Sequence, residues 1–186
     1  MDLDEAIYGR RSTREYTSDS VDEPTIRRLI DAAIHAPSAT NEQPWTFTVV
    51  RDQALLDQVS QASKVHMLAT LPAGPEADRY RSRLSDPQFQ IFYHAPVLVV
   101  ISGIRQGAWI AEDCALAAQN LMLAAYGQCL GTCWIGFSQG YLNTPEGKQA
   151  LGIPATWMPV APIIVGHPKT MPAPVARREP EIRWVG

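Results

Sequence analysis

From Trp109 to Tyr126 the chain reads WIAEDCALAAQNLMLAAY, a run that is apolar on nearly every helical face. A helix with no polar face to turn to water has to be enclosed by other elements. Glu112, Asp113, Gln119 and Asn120 interrupt the run too often for a membrane span, which leaves a core or interface helix. Enclosure needs surrounding chain, and 186 residues with 46% hydrophobic and 19% charged content meet the requirement of one compact domain.

The rest of the chain alternates helix-like and strand-like patterns. LDEAIYGR is a short helix. SVDEPTIRRLIDAAIHA is a stronger one, with Ser20 and Glu23 at capping-box spacing and an apolar stripe of Ile26, Leu29, Ile30, Ala33 and Ile34 that ends at Pro37. WTFTVVR reads as a strand, QALLDQVSQASK as a helix, and residues 65 to 92 follow neither period clearly. APVLVVISG is a continuous apolar run introduced by Pro96, as expected of a central buried strand. Thr144-Pro145 opens a further helix, and MPVAPIIVG is a last strand. The final residues, HPKTMPAPVARREPEIRWVG, are too rich in proline to continue a core and read as an extended arm. With Ile182, Trp184 and Val185 near its tip, the arm would expose apolar surface unless it lay on something, and a second copy of the chain is the simplest cover. A frayed tail is the plainer alternative.

Charge and motifs exclude several classes. A net charge of -3 and a pI near 5.8 give no bulk attraction for nucleic acid. The acidic opening MDLDEAIYGRRS has no apolar signal region, so a cytoplasmic protein is expected, with no membrane anchor. Cys114, Cys129 and Cys133 lack disulfide or zinc spacing and are expected to be buried free thiols, and His35, His66, His94 and His167 are scattered, so no metal is expected. No GxGxxG, P-loop, GxSxG or HExxH motif occurs.

What remains is polar grip without a catalytic constellation. GRRSTREY packs Arg10, Arg11 and Arg14 with Ser12 and Thr13, a local anion site in an acidic chain, or else a solvated basic turn. Arg177 and Arg178 form a second basic pair on the arm, and the two clusters together would suit a phosphate monoester. HAPSATNEQPW gathers amides and hydroxyls into a loop, by itself no more than an Asn/Ser/Pro turn. A bound organic cofactor accounts for all of these together.

RRSTREY, APSATNEQPWTFTVV, LGTCWIG and RREP, in this order and spacing, resemble the nitroreductase family of flavin-dependent oxidoreductases over most of the chain. The resemblance implies an α+β fold with a central, mainly antiparallel sheet flanked by helices. It also implies non-covalent FMN at the interface of an intertwined homodimer, in which residues 1–166 form the flavin-binding core and the arm, 167–186, packs on the partner subunit. Arg10, Arg11, Ser12 and Arg14 match the segment that meets the FMN phosphate and ring edge. Pro37, Ser38, Asn41 and Gln43 match a loop that reaches the flavin from the other subunit, with Asn and Gln offering both donors and acceptors. Trp134, Ile135 and Gly136 match the stretch along the flavin that presents a backbone N–H towards N5, and Arg178 matches a phosphate position, with Arg177 beside it. Larger members add an Asn and a Lys from mid-chain; here Lys64, Arg81, Arg83 and Gln90 are available without a matching motif.

The implied activity is hydride transfer from NADH or NADPH, as co-substrate, to a small flat acceptor of nitroaromatic, quinone or enone type by a ping-pong cycle, with no catalytic side chain. Two other readings are an FMN-binding module or sensor without efficient turnover, and a cofactor-free dimeric interaction domain, which would leave both arginine clusters without a partner.

Overall fold

The computed structural model describes residues 2–186. Its elements are α1 (Leu3–Gly9), α2 (Glu23–Ile34), β1 (Trp45–Val50), α3 (Gln53–Thr70), α4 (Pro75–Leu84), β2 (Val97–Gly103), α5 (Ile110–Gly127), β3 (Gly131–Trp134), α6 (Gly136–Leu142), α7 (Pro145–Ala150) and β4 (Met158–Gly166). The four strands form one sheet in the order β1-β2-β4-β3, every neighbouring pair antiparallel. This is the α+β architecture, with an antiparallel sheet, that the resemblance implies.

Alternation along the strands sends side chains to both faces of the sheet. Val97, Val99 and Ile101 of β2, with Ile163 and Val165 of β4, pack against Leu29 and Ala33 of α2 and against Cys114, Ala117 and Leu121 of α5. Leu98, Val100 and Ile164 face the other way, onto Leu56 and Val59 of α3 and Leu142 of α6. β2 is buried along its whole length because helices cover it on both sides. That explains why its sequence runs continuously apolar instead of alternating.

The helix caps are local. Asp22, not Ser20, caps α2: its side chain accepts the Thr25 N–H, so the Ser20/Glu23 capping box does not form. The carboxylate two residues nearer the helix wins because it meets an orphan N–H directly. Ile34, expected on the apolar stripe, is exposed at the last turn. Thr144 caps α7 as its sequence implies. Within the unpatterned stretch after residue 65, α3 continues to Thr70 and α4 follows with Pro75 in its first turn. Among the described residues of α4 only Ala77 and Leu84 are buried, so it has little apolar periodicity to read.

The segment after α1 does not leave the fold. Ser12 bridges Thr132 of β3 in parallel, Tyr16 bridges Pro168, and the Thr13 N–H donates to Thr132 O at 2.9 Å. The approach requires Gly131, where a Cβ would lie 2.5 Å from Thr13 Oγ1. The root of the arm is tied to the same segment by Thr17 N–H to His167 O and Lys169 N–H to Glu15 O. Past Pro168 the described chain has neither helix nor strand, and Trp184 and Val185 are almost fully exposed.

Gly147 sits where a Cβ would be 2.0 Å from the Tyr141 carbonyl oxygen, a backbone atom of α6. Gly147→Ala is therefore expected to cost about 1–3 kcal/mol, the range of an overpacked site. A lowered midpoint of thermal unfolding would show this, whereas an unchanged midpoint would contradict the close seating of α7 on α6.

Candidate functional site

Pairing with β3 brings the arginines of the first motif to the edge of the sheet. A cavity of about 280 Å³ is lined there by Arg10, Arg11, Ser12, Arg14 and, from the arm, Val175 and Arg177. Both basic clusters thus meet, with Arg177 rather than Arg178 at the wall. Burial, then the neighbouring Arg177 and Arg11, lower the Arg10 guanidinium from its ordinary value. Arg11 Nη1 donates to the carbonyls of Tyr8 and Arg10 at 2.6 and 2.9 Å, while its buried Nε has no hydrogen-bond partner. Neither ion pair among the described residues, Arg27–Glu23 or Arg105–Glu42, reaches this cluster. Crowded guanidiniums without a carboxylate are the setting for an anion.

Arg14 also lines a second cavity of about 430 Å³. Its floor is the end of β3 and the start of α6, Cys133 to Phe137, and its far wall carries Met67, Tyr80, Arg83 and Tyr93. This cleft has aromatic walls and no acid in its lining. Within the stretch Trp134 to Gly136, the Ile135 N–H donates to Pro162 O at 2.8 Å. Gly136, the first residue of α6, has an N–H with no acceptor in its own helix, so the free donor of this stretch lies one residue further on. Burial raises the Cys133 thiol pKa, against a lowering by Arg14, and burial also raises the pKa of the neighbouring Tyr16 hydroxyl, which donates to Thr13 O.

The amide loop lies elsewhere. Pro37, Ser38, Asn41 and Gln43 line neither cavity. Ser38 Oγ accepts the Gln43 N–H, Gln43 Nε2 donates to Asn41 Oδ1, and the Ala39 N–H donates to the buried carboxylate of Asp113 at 2.9 Å. Thr40, Asn41 and Gln43 all have positive φ, 50°, 57° and 48°. Three non-glycine residues in that region within four positions mark a costly, tightly determined turn. Asp113 lies in the first turn of α5, whereas Gly9, beside Arg10, packs on Tyr126 in its last. At 1.5 Å per residue the two ends are about 20 Å apart, so one protomer does not bring loop and arginines together. Asp113 was legible only as an acid breaking an apolar helix.

The four polar candidates of the unpatterned stretch separate clearly. Lys64 is buried, and its ammonium donates to the carbonyls of Asp86 and Phe89 at 2.7 and 2.8 Å. Arg81 holds Leu71 O, and Gln90 holds Asp57 and the Phe92 N–H. Arg83 alone reaches the cleft. Among the described residues no cluster of His, Cys, Asp and Glu could hold a metal, and no helix is long and apolar enough to cross a membrane.

Residues 7–167 match the model of the nitroreductase family. The chain belongs to that family. A Methanothermobacter thermautotrophicus protein named NADH dehydrogenase/NAD(P)H nitroreductase is 32% identical over 177 residues, covering 92% of this chain and 80% of its own. A Rhodospirillum rubrum protein named 5,6-dimethylbenzimidazole synthase is 28% identical over 183 residues, covering 90% and 82%. A crystal structure of a Bacteroides fragilis nitroreductase with bound FMN superposes with a TM-score of 0.84 at 25% identity, covering 98% of this chain and 97% of that one. Relatives of this nitroreductase-family chain therefore carry names for different reactions.

The thiols give a direct check on the site's geometry. Cys129, expected to be buried, is exposed in the turn after α5 with φ 59°, while Cys114 and Cys133 are buried. Burial pushes Cys114 up to about 12 and raises Cys133 above its ordinary 9.0, so both remain neutral thiols at mildly alkaline pH, where only thiolate reacts. Native protein titrated with a disulfide reagent is expected to release one equivalent rapidly and the other two only on denaturation. Rapid release of a second equivalent would place Cys133 in an open, anion-stabilising position.

Proposed function

We propose that this chain is an FMN-dependent oxidoreductase that takes hydride from NADH or NADPH and reduces a small flat acceptor of nitroaromatic, quinone or enone type. The carrying observation is that Arg14 belongs at once to a basic cavity roomy enough for a phosphate and to an aromatic-walled cleft beside the end of β3. A phosphate at one end of a flat ring system needs this combination, and the names of the relatives and the FMN of the Bacteroides fragilis structure support the reading.

The residues fit the cofactor. The unpartnered Arg11 Nε and the acid-free arginine cluster call for an anion, which Arg10, Arg11, Ser12 and Arg177 would hold, with Arg178 next on the arm. Trp134, Ile135 and Gly136 would lie along the ring, with the Gly136 N–H as donor. When bound, FMN supplies the two-electron chemistry. The chain positions, polarises and excludes water: Cys133 and Tyr16 are held neutral by burial, so neither acts as a base near neutrality. One cleft that serves donor and acceptor in turn implies a ping-pong cycle.

The second half of the site would come from a second copy. Pro37, Ser38, Asn41 and Gln43 form a rigid, strained turn that grips nothing in its own protomer's cavities, and strain of this kind collects at ligand sites. Leu116 and Trp109 on α5, Leu3 and Tyr8 on α1, and Trp184 and Val185 on the arm expose apolar surface that a homodimer would cover, with the arm crossing to the partner.

Purified protein is expected to be yellow, to bleach anaerobically with NADH or NADPH, to regain colour with a nitroaromatic or quinone, and to give parallel double-reciprocal lines. Bleaching should show no titration step from about pH 6 to 8, because the nearby thiol and phenol ordinarily titrate above that window and burial moves both further up. Bound FMN that neither nucleotide bleaches would leave a flavin-binding module. Arg14→Ala should weaken FMN by about ten- to a hundredfold, the loss of one charge-assisted contact of roughly 1.5–3 kcal/mol. Deletion of residues 167–186 should lose FMN and weaken the dimer; a truncated protein that stays dimeric and fully flavinated would make the arm a tail.

A further inference from the structure

The proposed reading leaves the acceptor's chemistry open, and the far wall of the cleft bears on it. Arg83 stands on α4 with its Cζ 4.5 Å from the centroid of the Phe89 ring and 5.7 Å from that of Tyr93. The two rings are themselves edge to face, 5.7 Å apart and inclined at 75°. Arg83 Nη2 donates to Tyr93 Oη at 3.0 Å. A guanidinium has five N–H donors in a fixed fork, and this contact uses one. No acid pairs with Arg83 among the described residues, and none lines the cleft. A cation held over the Phe89 ring and hydrogen-bonded to Tyr93 loses little freedom when it accepts a ligand, so it is preorganised for a planar anion.

The platform beneath it is held from the interior. Buried Lys64 donates to the carbonyls of Asp86 and Phe89, and Tyr93 and His94 both have positive φ, 54° and 55°, which turns the chain back at the end of the platform. Two buried hydrogen bonds and a strained turn thus fix the rings on which Arg83 rests. Phe137 and Tyr80, both in the lining of the cleft, touch edge to face at 5.5 Å, so the cleft is an aromatic-lined slot for a flat ring.

Resting on the reading of this cleft as the acceptor site, we propose that Arg83 selects acceptors that are planar aromatics bearing an anionic oxygen substituent, a carboxylate or phenolate, directed to the mouth of the slot. The aromatic walls take the ring, and the fork of Arg83 takes the anion.

The test compares 4-nitrobenzoate with its methyl ester, which keeps the ring and nitro group but exchanges the charge for a methyl group, by calorimetric titration of the FMN-loaded protein and of its Arg83→Gln and Arg83→Lys variants. Wild type is expected to bind the acid more tightly than the ester. Arg83→Gln should reduce the acid-to-ester preference by about tenfold, the worth of one charge-assisted pair, and Arg83→Lys should retain part of it. Folding of each variant is checked by its bound-flavin spectrum. An equal preference in wild type and Arg83→Gln would overturn the proposal. So would a loss confined to NADPH relative to NADH in anaerobic bleaching, since the same cation would then read a nucleotide phosphate. Because binding is read without turnover, a charge preference in protein that no nucleotide bleaches would sink the reductase reading and uphold Arg83, and normal bleaching without a charge preference would do the reverse.

Discussion

The parallel contact of Ser12 and Thr13 with Thr132 is the interaction on which the rest of the site depends. It covers the outer edge of β3, which would otherwise present unpaired backbone groups. It also fixes the direction in which Arg10, Arg11 and Arg14 leave the sheet, and it roots the arm through Glu15 and Thr17. The contact exists because Gly131 has no side chain to hold Thr13 away. One glycine in β3 thereby decides where the basic residues of an acidic protein gather.

That gathering has a cost, and the cost is informative. Arginines brought together without carboxylates repel one another, and burial adds to the penalty on Arg10. The chain has acids to spare, yet among the described residues the ion pairs are Arg27–Glu23 and Arg105–Glu42, away from the cluster. A fold that withholds counter-ions from its most crowded cations is arranged around a charge it does not itself supply. The same economy holds in the cleft, where Arg14 and Arg83 line one aromatic-walled cavity with no acid in its lining. Lys64 contrasts with both: its charge is consumed by two carbonyls and serves only to hold the platform.

The loop from Pro37 to Gln43 is built on another principle. Its three residues of positive φ are kept in place by Ser38, by the amide pair of Asn41 and Gln43, and by Asp113 reaching from the first turn of α5. Every polar group that holds the turn does so within the protomer, and the exposed faces of Asn41 and Gln43 remain for whatever lies beyond it. The long helix thus carries the loop at one end and supports the arginine segment at the other, which is a second use of a helix that its sequence marks only as one to be enclosed.

Local sequence determined much of this protein. The periodicity of α2, the helical pattern that opens α3, the all-round apolar run of α5, the apolar runs of β2 and β4, the Thr144-Pro145 start of α7 and the proline-rich arm are all short-range signals, and each resides in the residues that form the element. The two motifs RRSTREY and APSATNEQPW were legible as polar clusters for the same reason. Tertiary structure decided what these clusters share. Arg14 faces the end of β3, Arg177 rather than Arg178 reaches the basic cavity, and the Ile135 N–H is spent on Pro162, because strand register and the path of the arm choose among neighbours that look equivalent in sequence. Arg83 was indistinguishable from Lys64, Arg81 and Gln90 until α4 was seated, since α4 buries too little apolar surface to show its facing. Side-chain identity is written locally, but a cavity is a long-range coincidence of faces, and only packing brings those faces together.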